Sequence, residues 1–129
     1  LVKGSLNRFR NYQYIDDIID NLILSLKNKK LSKNEVINLT TGKPEKVKNL
    51  LKKIFKINNK RKYKVREIKG TPGDSFGYNA SNVYLKLKFK NYKFTSLEKG
   101  LRLYFQWINK VPNTKNLKKY HPFRMAKNT

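Results

Sequence analysis

The chain has 129 residues, of which 38% are hydrophobic and 12% aromatic, so it is long enough for one domain with a modest core. It contains no cysteine, which excludes disulfides, thiolate zinc sites and a cysteine nucleophile. No apolar run approaches the roughly 18 residues that a membrane-spanning helix requires. The opening residues Leu1-Val2-Lys3-Gly4 are not a signal peptide and resemble a strand entered midway, which predicts a fragment.

The net charge of +23 favours a polyanionic partner, because cationic side chains release counterions from nucleic acid. Only six of the 31 basic residues are arginine, however, and the lysines are spread along the whole chain. Dedicated nucleic-acid surfaces concentrate arginine, which forks onto phosphates and bases. A small basic nucleic-acid-binding domain therefore stays as an alternative, and codon bias toward lysine, asparagine and isoleucine is a competing explanation of the charge.

The first predicted elements are a short strand over 12–15 and an amphipathic helix from Asp16 to about Lys29. Apolar residues recur every three or four positions from Ile15 to Leu26, which is the spacing of one helix face. Asp16 is the predicted N-cap of this helix. The other acidic residues of its first turns interact favourably with the positive end of the helix dipole. This interaction explains their position better than a metal site does.

A second strand is predicted over 35–39, followed by a turn over 40–44 that places Pro44 in the first turn of a helix. That helix is predicted from the apolar spacing between Val47 and Phe55, with lysines on its solvent face. Alternating residues over 63–68 then predict a third strand.

The chain is organised around the segment 69–78, which holds three of the six glycines. Proline followed by glycine at Pro72-Gly73 predicts a β-turn, since the two residues suit its two corners. The carboxylate of Asp74 is expected to fold back onto nearby backbone amides.

The carboxyl-terminal third begins with residues 83–89, whose alternation of apolar residues and lysine leaves helix and strand open. Ser96 is the predicted N-cap of a last helix, in which Trp107 is expected to pack rather than to recognise a ligand. Residues 111–129 are polar and basic and are predicted to form a flexible tail, with His121 at the surface.

Four stretches resemble, in order and spacing, the carboxyl-terminal part of an extended short-chain dehydrogenase/reductase, the NAD-dependent sugar-nucleotide epimerase/dehydratase family. They are Arg10-Asn11-Tyr12-Gln13-Tyr14-Ile15-Asp16-Asp17, residues 35–44, Pro72-Gly73-Asp74 with Tyr78 four residues beyond, and Ser96-Leu97-Glu98-Lys99-Gly100-Leu101. The resemblance implies an α/β fold with short strands and about three amphipathic helices, in which residues 1–110 are the substrate-binding part. It also implies that the Rossmann half, which binds NAD and carries the catalytic residues, is missing.

The resemblance assigns substrate-binding roles to five residues. Arg10 matches the arginine that meets the diphosphate, and a guanidinium fork suits phosphate oxygens. Tyr78 matches a tyrosine near the sugar nucleotide, and Val2 and Lys3 fall where the family lines the nucleobase. Thr71 stands where many members carry a second arginine clamp for the diphosphate, which is a departure from the pattern.

The implied function is the nucleotide-sugar-binding part of an epimerase or dehydratase, with no catalytic, cofactor-binding or metal-binding residue in this chain. NAD would be bound by the intact enzyme, and the expected partners are a nucleotide-diphosphate sugar and the missing Rossmann half. A homodimer of the intact enzyme is allowed, and a cytoplasmic location away from membranes is expected. Tyr84 and Lys88 match the spacing of the family's catalytic pair, but that pair belongs to the amino-terminal half.

Overall fold

The computed structural model describes residues 1–28, 35–59, 63–90 and 92–110 as an α/β arrangement of four helices and four two-residue strands. In chain order these are β1 (Val2–Lys3), β2 (Phe9–Arg10), α1 (Ile15–Lys27), β3 (Glu45–Lys46), α2 (Val47–Ile57), β4 (Glu67–Ile68), α3 (Val83–Lys88) and α4 (Leu97–Lys110). The predicted tail over 111–129, including His121, lies outside the described residues.

The strands form two separate pairs that join distant parts of the chain. Strand β1 pairs in parallel with β4, with Val2 opposite Glu67, and β2 pairs antiparallel to β3, with Phe9 opposite Lys46. Because β4 leads directly into the segment 69–78, the pairing of β1 with β4 places this segment beside the first residues of the chain.

The predicted strand over 12–15 is wrong, and so is the N-cap assigned to Asp16. The strand lies earlier, at Phe9–Arg10, where β3 supplies its hydrogen-bonding partner. Helix α1 then begins at Ile15 with Tyr14 as its N-cap, which makes no side-chain capping hydrogen bond. The helix itself was predicted correctly and ends at Lys27, close to the expected Lys29.

The predicted strand over 35–39 is also wrong, since these residues have no regular secondary structure. A strand needs a neighbour for its backbone hydrogen bonds, and none of the described strands lies beside this segment. The side chain of Val36 is accordingly 92% exposed. Pro44 precedes the short strand β3 instead of occupying the first turn of α2, and the strand predicted over 63–68 is reduced to Glu67–Ile68.

The helices number four among the described residues, because the segment left open over 83–89 forms the short helix α3. Helix α4 begins as predicted: the backbone N–H of Lys99 donates to Ser96 Oγ at 3.3 Å, which is the N-cap hydrogen bond. No helix in the described ranges is both long and apolar enough to pass through a membrane.

The core of the described structure is small. Leu85 and Phe89 are the buried hydrophobic residues, with 2% and 8% of their surface exposed. Helix α1 has polar residues, Asp17 and Asn21, on its buried side. Large apolar side chains of the same helix are exposed, at Ile15, Ile19, Leu22, Ile23, Leu24 and Leu26. Helix α1 therefore turns an apolar face outward.

Candidate functional site

The segment 69–78 contains the predicted β-turn. The backbone N–H of Asp74 donates to the carbonyl of Thr71 at 3.2 Å, which closes the turn over Pro72 and Gly73. Gly73 has a φ of 79°, the left-handed conformation that glycine adopts at low cost at the second corner. The turn is therefore set by local chemistry, as the sequence indicated.

Two glycines allow this segment to dock closely against the first ten residues. A Cβ built on Gly77 would lie 2.6 Å from the ring of Phe9, and one built on Gly70 would lie 3.3 Å from the backbone of Gly4. The ring of Phe9 also meets Phe76 edge-on, with 6.2 Å between ring centroids. A larger side chain at position 77 would displace this contact.

Two arginines hold the carboxylate of Asp74. Arg8 Nη1 donates to one carboxylate oxygen, and Arg10 Nη2 donates to the other at 2.8 Å. The carboxylate was expected to turn onto backbone amides, and that expectation is wrong. The guanidinium groups are the preferred partners because a charged donor binds a carboxylate more strongly than a neutral amide does.

Arg10 also binds the backbone of the same segment. Its Nη2 donates to the carbonyl of Ser75 at 2.8 Å, and its Nη1 donates to the carbonyls of Phe76 at 3.2 Å and Phe9 at 2.8 Å. The side chain of Arg10 is 26% exposed. Diphosphate binding by Arg10 stays a prediction, and in this structure the fork of Arg10 is engaged with the segment 74–76.

The other four residues singled out from the sequence lie around the same segment. Thr71 opens the turn and is exposed, and Tyr78 ends the segment with 56% of its surface exposed. Val2 and Lys3 form β1, and the carbonyl of Lys3 accepts a hydrogen bond from Arg8. The pairing of β1 with β4 brings Val2 and Lys3 to the start of the segment.

Asn11 connects the far end of the segment to β2. Its Nδ2 donates to the carbonyl of Tyr78 at 3.5 Å, while its Oδ1 is buried with no hydrogen-bond partner among the described residues. The amide thus adds a donor toward Tyr78 that a carboxylate would lack.

No functional role was predicted for Arg8, although the sequence contains a signal for one. Arg8 and Arg10 are two residues apart, and residues at that spacing lie on the same face of an extended segment. What the sequence did not show is that Asp74, more than sixty positions away, lies opposite that face.

Asp17 lies in the first turn of α1, as predicted, but it also makes contacts that the sequence did not indicate. Only 6% of the surface of Asp17 is exposed. It accepts hydrogen bonds from the backbone N–H and from Oγ1 of Thr95, both at 2.9 Å. Its backbone carbonyl accepts another at 2.8 Å from the hydroxyl of Tyr92, whose pKa is raised by burial. Asp17 therefore ties α1 to the segment that leads into α4.

A groove of about 720 Å³ runs between α2, α4 and the residues that lead into α1. Tyr104 and Trp107 line it and stack on one another with 5.9 Å between ring centroids. Trp107 packs on its neighbour as expected, yet 54% of its surface is exposed. No group of three or more histidine, aspartate or glutamate residues in the described ranges is arranged to hold a metal ion.

No protein-family model matches this sequence, and no curated protein matches it either. The fold is similar to a solved structure of TunA, described as a novel NAD-dependent NDP-hexosamine 5,6-dehydratase involved in tunicamycin biosynthesis. The TM-score is 0.71 at 20% sequence identity over 85% of this chain. The described chain therefore shares its fold with the matching part of the TunA structure. It spans 35% of the length of the TunA chain.

Proposed function

We propose that this chain supplies the nucleotide-sugar-binding part of an NAD-dependent epimerase or dehydratase. The observation that carries the proposal is the pair of guanidinium groups held at the Pro72-Gly73-Asp74 turn, within a fold shared with an NDP-hexosamine dehydratase. Two arginines beside one carboxylate leave a net positive charge, which favours a diphosphate.

In this proposal the five residues identified from the sequence surround one bound nucleotide sugar. Arg10 and the turn at Thr71 lie beside the diphosphate, and the exposed hydroxyl of Tyr78 donates to a sugar or phosphate oxygen. Val2 and Lys3 lie beside the nucleobase, at the edge formed by β1. Residues 1–110 would form this substrate-binding part.

NAD, bound by the part of the enzyme that carries the Rossmann fold, would accept a hydride from the sugar and so supply the redox chemistry. The residues of this chain would bind and orient the nucleotide sugar. The outward apolar face of α1 supports a covering partner, since contiguous exposed apolar surface marks an interface. The Rossmann half is the partner that the likeness to the longer TunA chain favours.

The proposal is tested by titration calorimetry of the full 129-residue chain with UDP-glucose, GDP-mannose and a short single-stranded DNA, at low and moderate salt. We expect one sugar nucleotide to bind, and we expect the DNA signal to disappear as salt screens the lysines. Arg10→Ala should abolish sugar-nucleotide binding, whereas Arg102→Ala on the exposed side of α4 should not. DNA binding that survives moderate salt, with no sugar-nucleotide binding, would contradict the proposal and favour the nucleic-acid alternative.

A further inference from the structure

Arg8 and Arg10 share the carboxylate of Asp74 but differ in how many donors they have left. A guanidinium group has five N–H donors in a fixed arrangement. The terminal nitrogens of Arg10 make four hydrogen bonds, to Asp74 Oδ1 and to the carbonyls of Ser75, Phe76 and Phe9. Those two nitrogens carry four N–H groups in total, so the fork of Arg10 is saturated in this structure.

Arg8 uses fewer of its N–H donors in hydrogen bonds within the described residues. Its Nε donates to the carbonyl of Ser5 at 3.2 Å, and its two terminal nitrogens donate once each, to Asp74 and to the carbonyl of Lys3. One N–H on each terminal nitrogen therefore has no acceptor within the part of the chain that the structure describes. The side chain of Arg8 is 17% exposed, and the oxygens of an arriving anion could accept from these donors.

The charges around this pair also favour an anion. One carboxylate offsets one of the two guanidinium charges, and exposed Lys3 and Lys69 lie in the strand and the segment that the pair joins. Thr71 adds no charge at the place where the family pattern often has a clamping arginine. Arg8 binds the same carboxylate as Arg10, at the turn that Thr71 opens, and is placed to supply a guanidinium group to an anion there.

We infer that Arg8 is the arginine that contacts the phosphate groups directly, and that Arg10 is a positioning residue that holds the segment 74–76. This inference rests on the proposed function and names the group that performs its central contact. Asp74 orients both guanidinium groups, so that the free donors of Arg8 are fixed before the ligand arrives. Pre-organised donors bind more tightly because less side-chain entropy is lost on binding.

The test is an NMR titration of the full chain with UDP and, separately, with uridine, which lacks the phosphates. Arg8→Lys keeps the charge and removes the fork, and Arg8→Gln removes both. We expect each to weaken UDP binding roughly tenfold or more, which is the loss of one charge-assisted hydrogen bond, while uridine binding stays unchanged. Arg102→Lys is the matched control and should leave both affinities at the wild-type value.

Arg10→Lys should act differently, because it loosens the segment. Mass-spectrometric mapping of limited trypsin digestion should show faster cleavage after Lys69 in Arg10→Lys than in Arg8→Lys. Wild-type UDP affinity in both Arg8 variants would overturn the inference. Loss of UDP binding in Arg10→Lys alone, with normal protection at Lys69, would overturn it while leaving the proposed function intact. Failure of the wild-type chain to bind UDP, UDP-glucose or GDP-mannose would overturn both.

Discussion

At the scale of single residues, the described structure depends on polar side chains that connect parts of the chain far apart in sequence. Asp17 reaches across to Thr95, and Asp74 reaches back to Arg8 and Arg10. Each of these carboxylates satisfies donors from a different element. Removing one of them leaves buried or half-buried donors without partners, which costs more than the hydrogen bond contributes.

Replacing Asp17 with alanine should therefore destabilise the chain. The substitution leaves the backbone N–H and the hydroxyl of Thr95 unsatisfied, and we expect the free energy of unfolding to fall by about 2 kcal/mol. Urea unfolding followed by circular dichroism measures the change. Asp20→Ala is the control, because Asp20 is exposed on the same helix. Equal losses in the two variants would mean that the contact with Thr95 contributes nothing specific.

At the scale of elements, one ion-pair network joins β3, α2 and α4. Lys53 on α2 lies 3.3 Å from the carboxylate of Glu45 in β3 and 3.4 Å from that of Glu98 in α4. Asn49 also donates to Glu45, at 2.8 Å. Leu50 of α2 and Leu101 of α4 line the groove between the same two helices.

The pKa values of this network are shifted in opposite directions. Burial acts to raise the pKa of Glu45, but hydrogen bonds from Asn49 and Lys53 outweigh it and bring the pKa below its ordinary value of 4.5. Burial acts to lower the pKa of Lys53, but its two carboxylate partners raise it above 10.5. Glu45 therefore stabilises the fold above pH 4.5, and this contribution is lost as the pH falls through its lowered pKa.

Lys53→Met should make the chain less sensitive to acid. Without Lys53 the pKa of folded Glu45 moves back toward its ordinary value, so protonation costs less stability. We expect the difference in Tm between wild type and Lys53→Met to shrink steadily between about pH 6 and pH 3. Lys52→Met, on the exposed side of the same helix, should keep a constant difference. A constant difference for Lys53→Met as well would show that the network is not formed in solution.

At the scale of the whole molecule, apolar surface is distributed unusually. The buried hydrophobic residues in the described ranges are Leu85 and Phe89, whereas α1 exposes Leu22 at 57% and Leu26 at 78%. Water contact with this much apolar surface is unfavourable, at about 25 cal/mol for each Å². A partner that covers α1 would remove that cost, and without one the chain should associate with itself.

Polar substitutions on α1 should therefore be tolerated. The double variant Leu22→Gln/Leu26→Gln removes exposed apolar surface, so we expect less self-association in sedimentation velocity and an unchanged helix content. Leu85→Ala removes a buried side chain instead and should lower the free energy of unfolding by about 2–5 kcal/mol. Unfolding of the double variant would mean that α1 is covered within the chain itself.

The sequence by itself determined the features that depend on neighbouring residues. The turn at Pro72-Gly73 and the cap at Ser96 follow from backbone conformation and hydrogen bonding within four residues. Helix α2 follows from apolar spacing, although it begins at Val47 and not with Pro44 in its first turn. The order of the motifs led to a fold class that the likeness to the dehydratase structure supports.

Only the tertiary structure decided the features that depend on distant partners. The strand predicted over 35–39 does not form, because no described strand pairs with it, whereas Phe9–Arg10 is a strand because β3 does. Asp17 faces Thr95, and Arg8 meets Asp74 across 66 positions of the chain. A local pattern determines which conformation a residue favours, but it does not indicate which chain segment will lie opposite that residue. That pairing is set by how the whole chain packs.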